Sequence, residues 1–234
     1  MALVMMALTT AVAHSAPGGR IGGFGQRDFV GYYLATLVVR LVTGAWVLWE
    51  ANMEIRQGTL AFRLLRPIHP LVHYAAENVA AVPLRAAISL PILLVLLLTL
   101  GGDGVTHDPL LWLVFLVAVV GAWLITFLAM SVMAALAFYI DSAVSIGQLW
   151  FGLFTVLSGY ILPLELFPRW LDLLARWLPF RYMLAFPVEV LVRATPRRTA
   201  LLELGVQWLF VAALGLAARA SWRAGLRRYS AFGG

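Results

Sequence analysis

The 234-residue chain contains no lysine and no cysteine, and only 12% of its residues are charged. Each shortage excludes a class of chemistry. Without cysteine there is no disulfide framework, no zinc-thiolate site and no thiol nucleophile. Without lysine there is no phosphate-binding loop of the G-x-x-x-x-G-K-[ST] type, because the lysine that reaches the terminal phosphates is missing. The chain therefore does not carry its own ATPase. A charged share this low is about half that of soluble globular domains, and it accompanies 62% hydrophobic residues and a mean hydropathy of +0.91. That composition belongs in a bilayer.

What is abundant is long apolar sequence. A spanning helix needs about 20 mostly apolar residues, and such runs lie at 29–49, 83–100, 109–138, 143–162 and 199–222. None shows the alternation of an outer-membrane strand, so helices must satisfy the backbone. Residues 1–16 are apolar but short, with no basic start of the kind a signal peptide requires. They read as a first span that has lost its beginning. The expected fold is all-α: one polytopic membrane domain covering 1–234, with about six spans.

Net charge is +6, from seventeen arginines against eleven acids. Nucleic acid would call for a polar, solvated basic surface, which is absent, so the arginines are read as topological signals. Arg56, Arg63 and Arg66 in one loop, and Arg223, Arg227 and Arg228 in the tail, place both on the cytoplasmic side. The loop 101–108, with two aspartates and no arginine, falls outside. The arginine-rich stretch 163–198 conflicts with this assignment. It is expected to hold an amphipathic helix on the outer leaflet followed by short re-entrant helices; the rival is that 179–192 crosses, although Pro187 interrupts it. The expected location is a bacterial cell (inner) membrane, multi-pass, with both termini cytoplasmic.

The loop "GTLAFRLLRPIHPLVH" at 58–73 asks for a separate account. A helix capped by Asn52 is expected to run over about 52–67, ended by Pro67. At 100° per residue Arg56, Arg63 and Arg66 share an arc of about 80°, opposite Ile55, Ala61, Phe62 and Leu65. Pro67-Ile68-His69-Pro70 then makes a stiff corner. The polar residues Tyr74, Glu77, Asn78 and Arg85 are read as a next helix standing partly in the cytosol. Two accounts of the loop stand at this point: arginines that meet anionic headgroups, and a bracket that transmits a push from a partner.

The strings "EIRQGTLAFRLLRPIHPL" and "SGYILPLELFPRWLDLLARWLPFRYMLAFPVEVL" resemble the permease subunit of type-2 ABC exporters, in the branch whose inner loop reads Ile-x-x-Gly-x-Leu and then Leu-Leu-x-Pro. Here those positions are Ile55, Gly58, Leu60, Leu64, Leu65 and Pro67. The resemblance implies a dimer of permeases, identical or homologous, in the lipid bilayer on two ABC ATP-binding subunits. ATP and magnesium would sit on those subunits, and this chain would need no cofactor. It implies that 52–67 is a coupling helix, docking on the ATPase through Glu54, Arg56, Arg63 and Arg66 with Phe62 and Leu65 as apolar anchors. It also implies an outer gate at 163–198, where Glu165, Arg169, Asp172, Arg176 and Glu189 are the candidates.

Other residues invite weaker assignments. Arg40 is the one charge near the middle of a span. Asp141-Ser142 would cap the fifth span, and Trp46, Trp49, Trp112 and Trp222 would form an interfacial belt. Glu189 and Arg193, four apart, would pair on a helix. Gly121, Ala122, Ala129, Ala134 and Ala135 would let the fourth span pack closely. His69 and His73 have a ligand-like spacing, which Pro70 spoils, and no metal site is expected. Two rival functions remain. A secondary transporter or channel would need intramembrane acid pairs or internal repeats, and a lipid-modifying enzyme would need clustered catalytic groups at one interface.

Overall fold

A computed structural model describes residues 1–100, 105–140, 143–193 and 195–229. Helices dominate: α1 (Ala2–Ser15), α2 (Gln26–Thr43), α3 (Val47–Gln57), α4 (Leu60–Leu64), α5 (Pro70–Ala80), α6 (Val82–Leu100), α7 (Pro109–Ala135), α8 (Ala143–Leu157), α9 (Arg169–Arg176), α10 (Pro179–Met183), α11 (Ala185–Val192) and α12 (Arg197–Leu226). The fold is all-α and polytopic. Four lengths, Gln26–Gln57, Pro70–Leu98, Pro109–Phe138 and Arg197–Leu226, are long and apolar enough to cross a membrane, and α1 and α8 are shorter apolar helices. At 1.5 Å per residue α7 and α12 reach about 40 and 45 Å, enough for the roughly 30 Å hydrocarbon core. The expected Asp141-Ser142 cap lies outside the described residues.

Small residues set the packing. The longest helix pair is α7 against α12, and α2 packs on α1 and α6 while α3 packs on α7. Ala122, Ala129, Ala134 and Ala135 are buried along α7. At Gly121 an added Cβ would lie 2.7 Å from Gln207, so the glutamine side chain occupies the space a methyl would take. From there Gln207 Nε2 donates to the carbonyls of Ala118 (2.8 Å) and Tyr182 (2.9 Å), stitching α12 to α7 and α10. Trp222 departs from its expected place in an aromatic belt. It is fully buried, donates Nε1–H to the Ser131 carbonyl at 2.8 Å, and packs on Tyr74 and Phe138.

The span expected at 29–49 is not one helix. It stops at Thr43; Gly44 is extended past the helix end, and the chain becomes helical again at Val47. A broken helix inside a membrane is tolerated when neighbours satisfy the freed backbone. Arg85 donates to the Gly44 carbonyl and Asn78 Oδ1 accepts from the Trp46 N–H at 3.3 Å. These two residues thus patch a break, a role that the sequence reading of them did not include. Pro83, which lacks an N–H, coincides with the small offset between α5 and α6 at Ala81.

One feature is not helical. Arg20–Ile21 (β1) pairs antiparallel with Phe24–Gly25 (β2) across Gly22-Gly23, both at positive φ (56° and 89°). A two-residue hairpin turn of this hand needs φ > 0 at both central positions, which glycine alone adopts freely. The hairpin sits before α2, with Leu166 filling the space over Gly22.

Candidate functional site

The loop expected to be a single helix over 52–67 is two helices. Asn52 is not a cap; it lies in the second turn of α3, which begins at Val47. Gly58, at φ 75°, closes α3 in a left-handed C-cap, and α4 restarts at Leu60. The turn breaks the 100° phase on which the shared face of Arg56, Arg63 and Arg66 depended. Arg56 and Arg66 remain exposed while Arg63 turns inward.

Arg63 becomes the centre of an internal lock. Its Nε and Nη2 bind the Glu54 carboxylate in a bidentate grip, with 2.7 Å contacts to each oxygen. Its Nη1 reaches Glu77 at 2.9 Å, and the guanidinium lies 4.4 Å from the centre of the Tyr74 ring. Tyr74, fully buried, donates its hydroxyl to Glu54 at 2.6 Å. Hydrogen bonds from Arg63 to the Glu54 carboxylate hold its guanidinium above its already high ordinary pKa. Planar two-point pairing of this kind is the strong form of a charge-assisted bond. Three elements, α3, α4 and α5, are thus tied at one place. Tyr229 adds a fourth by donating to the Gly58 carbonyl at 2.8 Å. Arg66 contacts His73.

The lock leaves apolar groups facing out. Phe62 is 70% exposed and Leu65 83%, with Leu64 and Ile68 beside them. Four exposed apolar side chains over seven residues, on a bracket this constrained, form a presented surface.

At the opposite end of the bundle the segment 163–198 is built of short pieces. On α9, Trp170, Leu173, Leu174 and Trp177 point outward within an arc of about 100°, Leu171, Ala175 and Leu178 pack inward, and Arg169, Asp172 and Arg176 take a third side. The amphipathic helix expected here therefore has three faces rather than two. Asp172 and Arg176 pair at 3.1 Å. Helices α10 and α11 bend at Leu184, and nearly all of 180–191 is buried against α7 and its neighbours. The Tyr182 carbonyl accepts from Gln207 in the interior, whereas Arg193 ion-pairs with Glu165 and stacks 4.7 Å over Phe24 at the end where Arg197 pairs with Asp108.

Its buried charges were only partly anticipated. Arg181 donates to Glu189 at 2.8 Å and lies 4.0 Å from Glu203, which accepts from the Tyr182 hydroxyl at 2.8 Å. The expected pairing of Glu189 with Arg193 does not form. Glu189 pairs instead with Arg181 and Arg193 with Glu165, because the turn at Arg193 carries its side chain away from α11. Together with Arg176 and Thr199 these groups line a cavity of about 420 Å³. Arg40, mid-span, has no carboxylate partner among the described residues and sits 5.8 and 5.2 Å from the rings of Phe151 and Phe154. No metal-binding group of histidines and carboxylates occurs among the described residues.

A helical membrane domain with a stiffened loop at one end and a buried pair of short helices at the other is the architecture over which a family match runs essentially end to end: the model of the ABC-2 family transporter proteins matches residues 1–233. The chain belongs to the ABC-2 transporter family. It is an integral membrane protein and a permease subunit of an ABC-type transporter. The permease belongs to a family that in general works with an ABC ATP-binding partner. No curated protein and no solved structure matches it.

Proposed function

We propose that the permease moves its substrate outward by alternating access, driven by a separate ATP-binding subunit that grips the loop between α3 and α5. The observation that carries this reading is the exposed pair Phe62 and Leu65 on a bracket fixed by Glu54, Arg63, Tyr74 and Glu77. Exposed aromatic and aliphatic anchors on a rigid support are what a protein cleft recognises, whereas diffuse contact with headgroups needs no such rigidity. Arg56 and Arg66 flank the anchors as rim charges. Glu54 and Arg63 act through the bracket rather than by touching the partner. Two permeases, identical or homologous, would complete the translocation path in a bacterial inner membrane, with the loop on the cytoplasmic side and ATP and magnesium held by the partner. Glu165, Arg169, Asp172, Arg176 and Glu189 surround the outer end, where they would control exit.

The test pairs the permease with the product of a neighbouring ATP-binding-cassette gene. Phe62→Ser together with Leu65→Ser is expected to abolish co-purification and permease-dependent ATPase stimulation, because hot-spot anchors cost at least about 2 kcal/mol each when truncated. Retention of both properties would remove the docking role.

A further inference from the structure

We propose that the permease holds an anionic phospholipid, headgroup first, in a pocket between the start of α5 and the last turns of α12. The pocket has a volume of about 560 Å³ and is lined by His69, Leu71 and Val72 on one side and by Arg219, Arg223, Leu226 and Arg227 on the other. It shares no residue with the docking loop's anchors. Its end of the bundle is cytoplasmic on the reading given above, but its ligand chemistry does not depend on that reading.

The arginine arrangement comes from helix geometry. Positions 219, 223 and 227 are four apart, so their side chains form one row, with steps of about 6 Å along the axis. The opposite side of α12 is occupied by Trp222 and Gly225, packed on Ser131 and Phe138, so the row has no freedom to turn inward. Among the described residues none of the three arginines pairs with a carboxylate. The one acid on α5, Glu77, is taken by Arg63. Three cations converging on one cavity without an acid repel one another, and a phosphodiester removes that repulsion while accepting several N–H donors at once.

Leu71, Val72 and Leu226 decide between a lipid and a free anion. A soluble phosphate would gain nothing from an apolar wall. An amphiphile gains along its whole length, placing the phosphate on the arginines and the first acyl carbons on the leucines. The position agrees, because α12 has no charge between Glu203 and Arg219 and turns basic where the pocket begins.

Purified permease is placed in nanodiscs of phosphatidylcholine containing a few per cent phosphatidylglycerol, and the phosphatidylglycerol retained after detergent extraction is counted by native mass spectrometry. About one tightly held anionic lipid per permease is expected, with at least a fivefold loss in Arg219→Gln/Arg223→Gln/Arg227→Gln and a smaller loss in Arg223→Gln alone. All three side chains are exposed, and gel filtration reports whether the variants fold. Equal retention by folded wild type and either variant overturns the proposal, since diffuse surface attraction would then account for it. Displacement of the lipid by millimolar inorganic phosphate also overturns it, by assigning the pocket to a free anion. Failure here would leave the ATPase-docking test untouched, and success would not depend on it.

Discussion

Removing the Glu54 carboxylate should loosen the inner bracket more than any other single change there. In Glu54→Ala the buried Tyr74 hydroxyl loses its acceptor and Arg63 loses both arms of its bidentate grip, keeping only Glu77. A buried donor left without a partner costs about 1–3 kcal/mol. The Arg63 contribution must be discounted, since its side chain is 18% exposed and solvent screens the pair. About 1 kcal/mol is a fair share for it, giving about 2–4 kcal/mol in all. For a chain of this length each kcal/mol moves the midpoint by about 2–4 °C, so a drop of about 5–15 °C is expected. Scanning fluorimetry of the detergent-purified permease reads it. Arg63→Met should cost less, and the double variant should lose about 1 kcal/mol less than the sum of the two, because both singles break the same bonds. Midpoints that add independently, or an unshifted Glu54→Ala, would show that the network does not hold the bracket.

Two further outcomes test other parts of the structure. Gly159 sits at φ 81°, with an added Cβ 2.5 Å from the Tyr32 hydroxyl that donates to its own carbonyl at 2.7 Å. Gly159→Ala should therefore destabilise by about 2–4 kcal/mol, combining left-handed strain with a lost buried bond, whereas Gly152→Ala, which meets no atom within 4 Å inside α8, should be neutral or stabilising by up to about 1 kcal/mol. Thermal midpoints of the two variants check this, and a matching loss in both would contradict it. Burial, and then the charges of Arg219 and Arg223, hold the His69 imidazole below its ordinary pKa. With the folded value depressed, the unfolded chain takes up the proton first, so stability is constant above about pH 6.5 and declines as pH falls from there to the folded value. His69→Gln should flatten that decline in a pH series of midpoints; an unchanged slope would assign it to other groups.

The apolar runs were legible because hydropathy is summed over about 20 residues and survives local interruptions. The interruptions themselves were not. The break at Gly44 exists because Arg85 and Asn78, more than 30 positions away, satisfy what it exposes, and no local pattern carries that information. Gly58 was different, since a glycine just past the end of a helix is a common stop signal. Treating Asn52 as a cap hid it, and the face assignment of Arg63 failed with it. The Gly22-Gly23 hairpin also carried its signal in the open, between strands too short to show alternation. Charged pairs were the least legible. Proximity along a helix favoured Glu189 with Arg193, but burial favoured the partner that could be fully desolvated with it, Arg181. Phe62 and Leu65 could be named as anchors from the loop, yet their exposure follows from Arg63 turning inward.

The Glu54 lock and the Gly44 break belong to one mechanical unit. Tyr74 and Glu77, which close the lock, stand on the same helix as Asn78, which patches the break, and Arg85 follows on α6. A load applied at Phe62 and Leu65 reaches α3 through Glu54 and α5 through Tyr74 and Glu77. It then meets the junction of α2 and α3, where the helix is already unwound and its backbone bonds are made by side chains of the neighbouring span. An intact helix resists bending over its whole length, but a break held by two hydrogen bonds can pivot while those bonds persist. The lengths Gln26–Gln57 and Pro70–Leu98 therefore respond to the loop together, with α2 free to change its angle to α3 and α3 bound to α5. On the function proposed above, that arrangement would convert a push on a small surface into a tilt of one span against another, the motion alternating access needs.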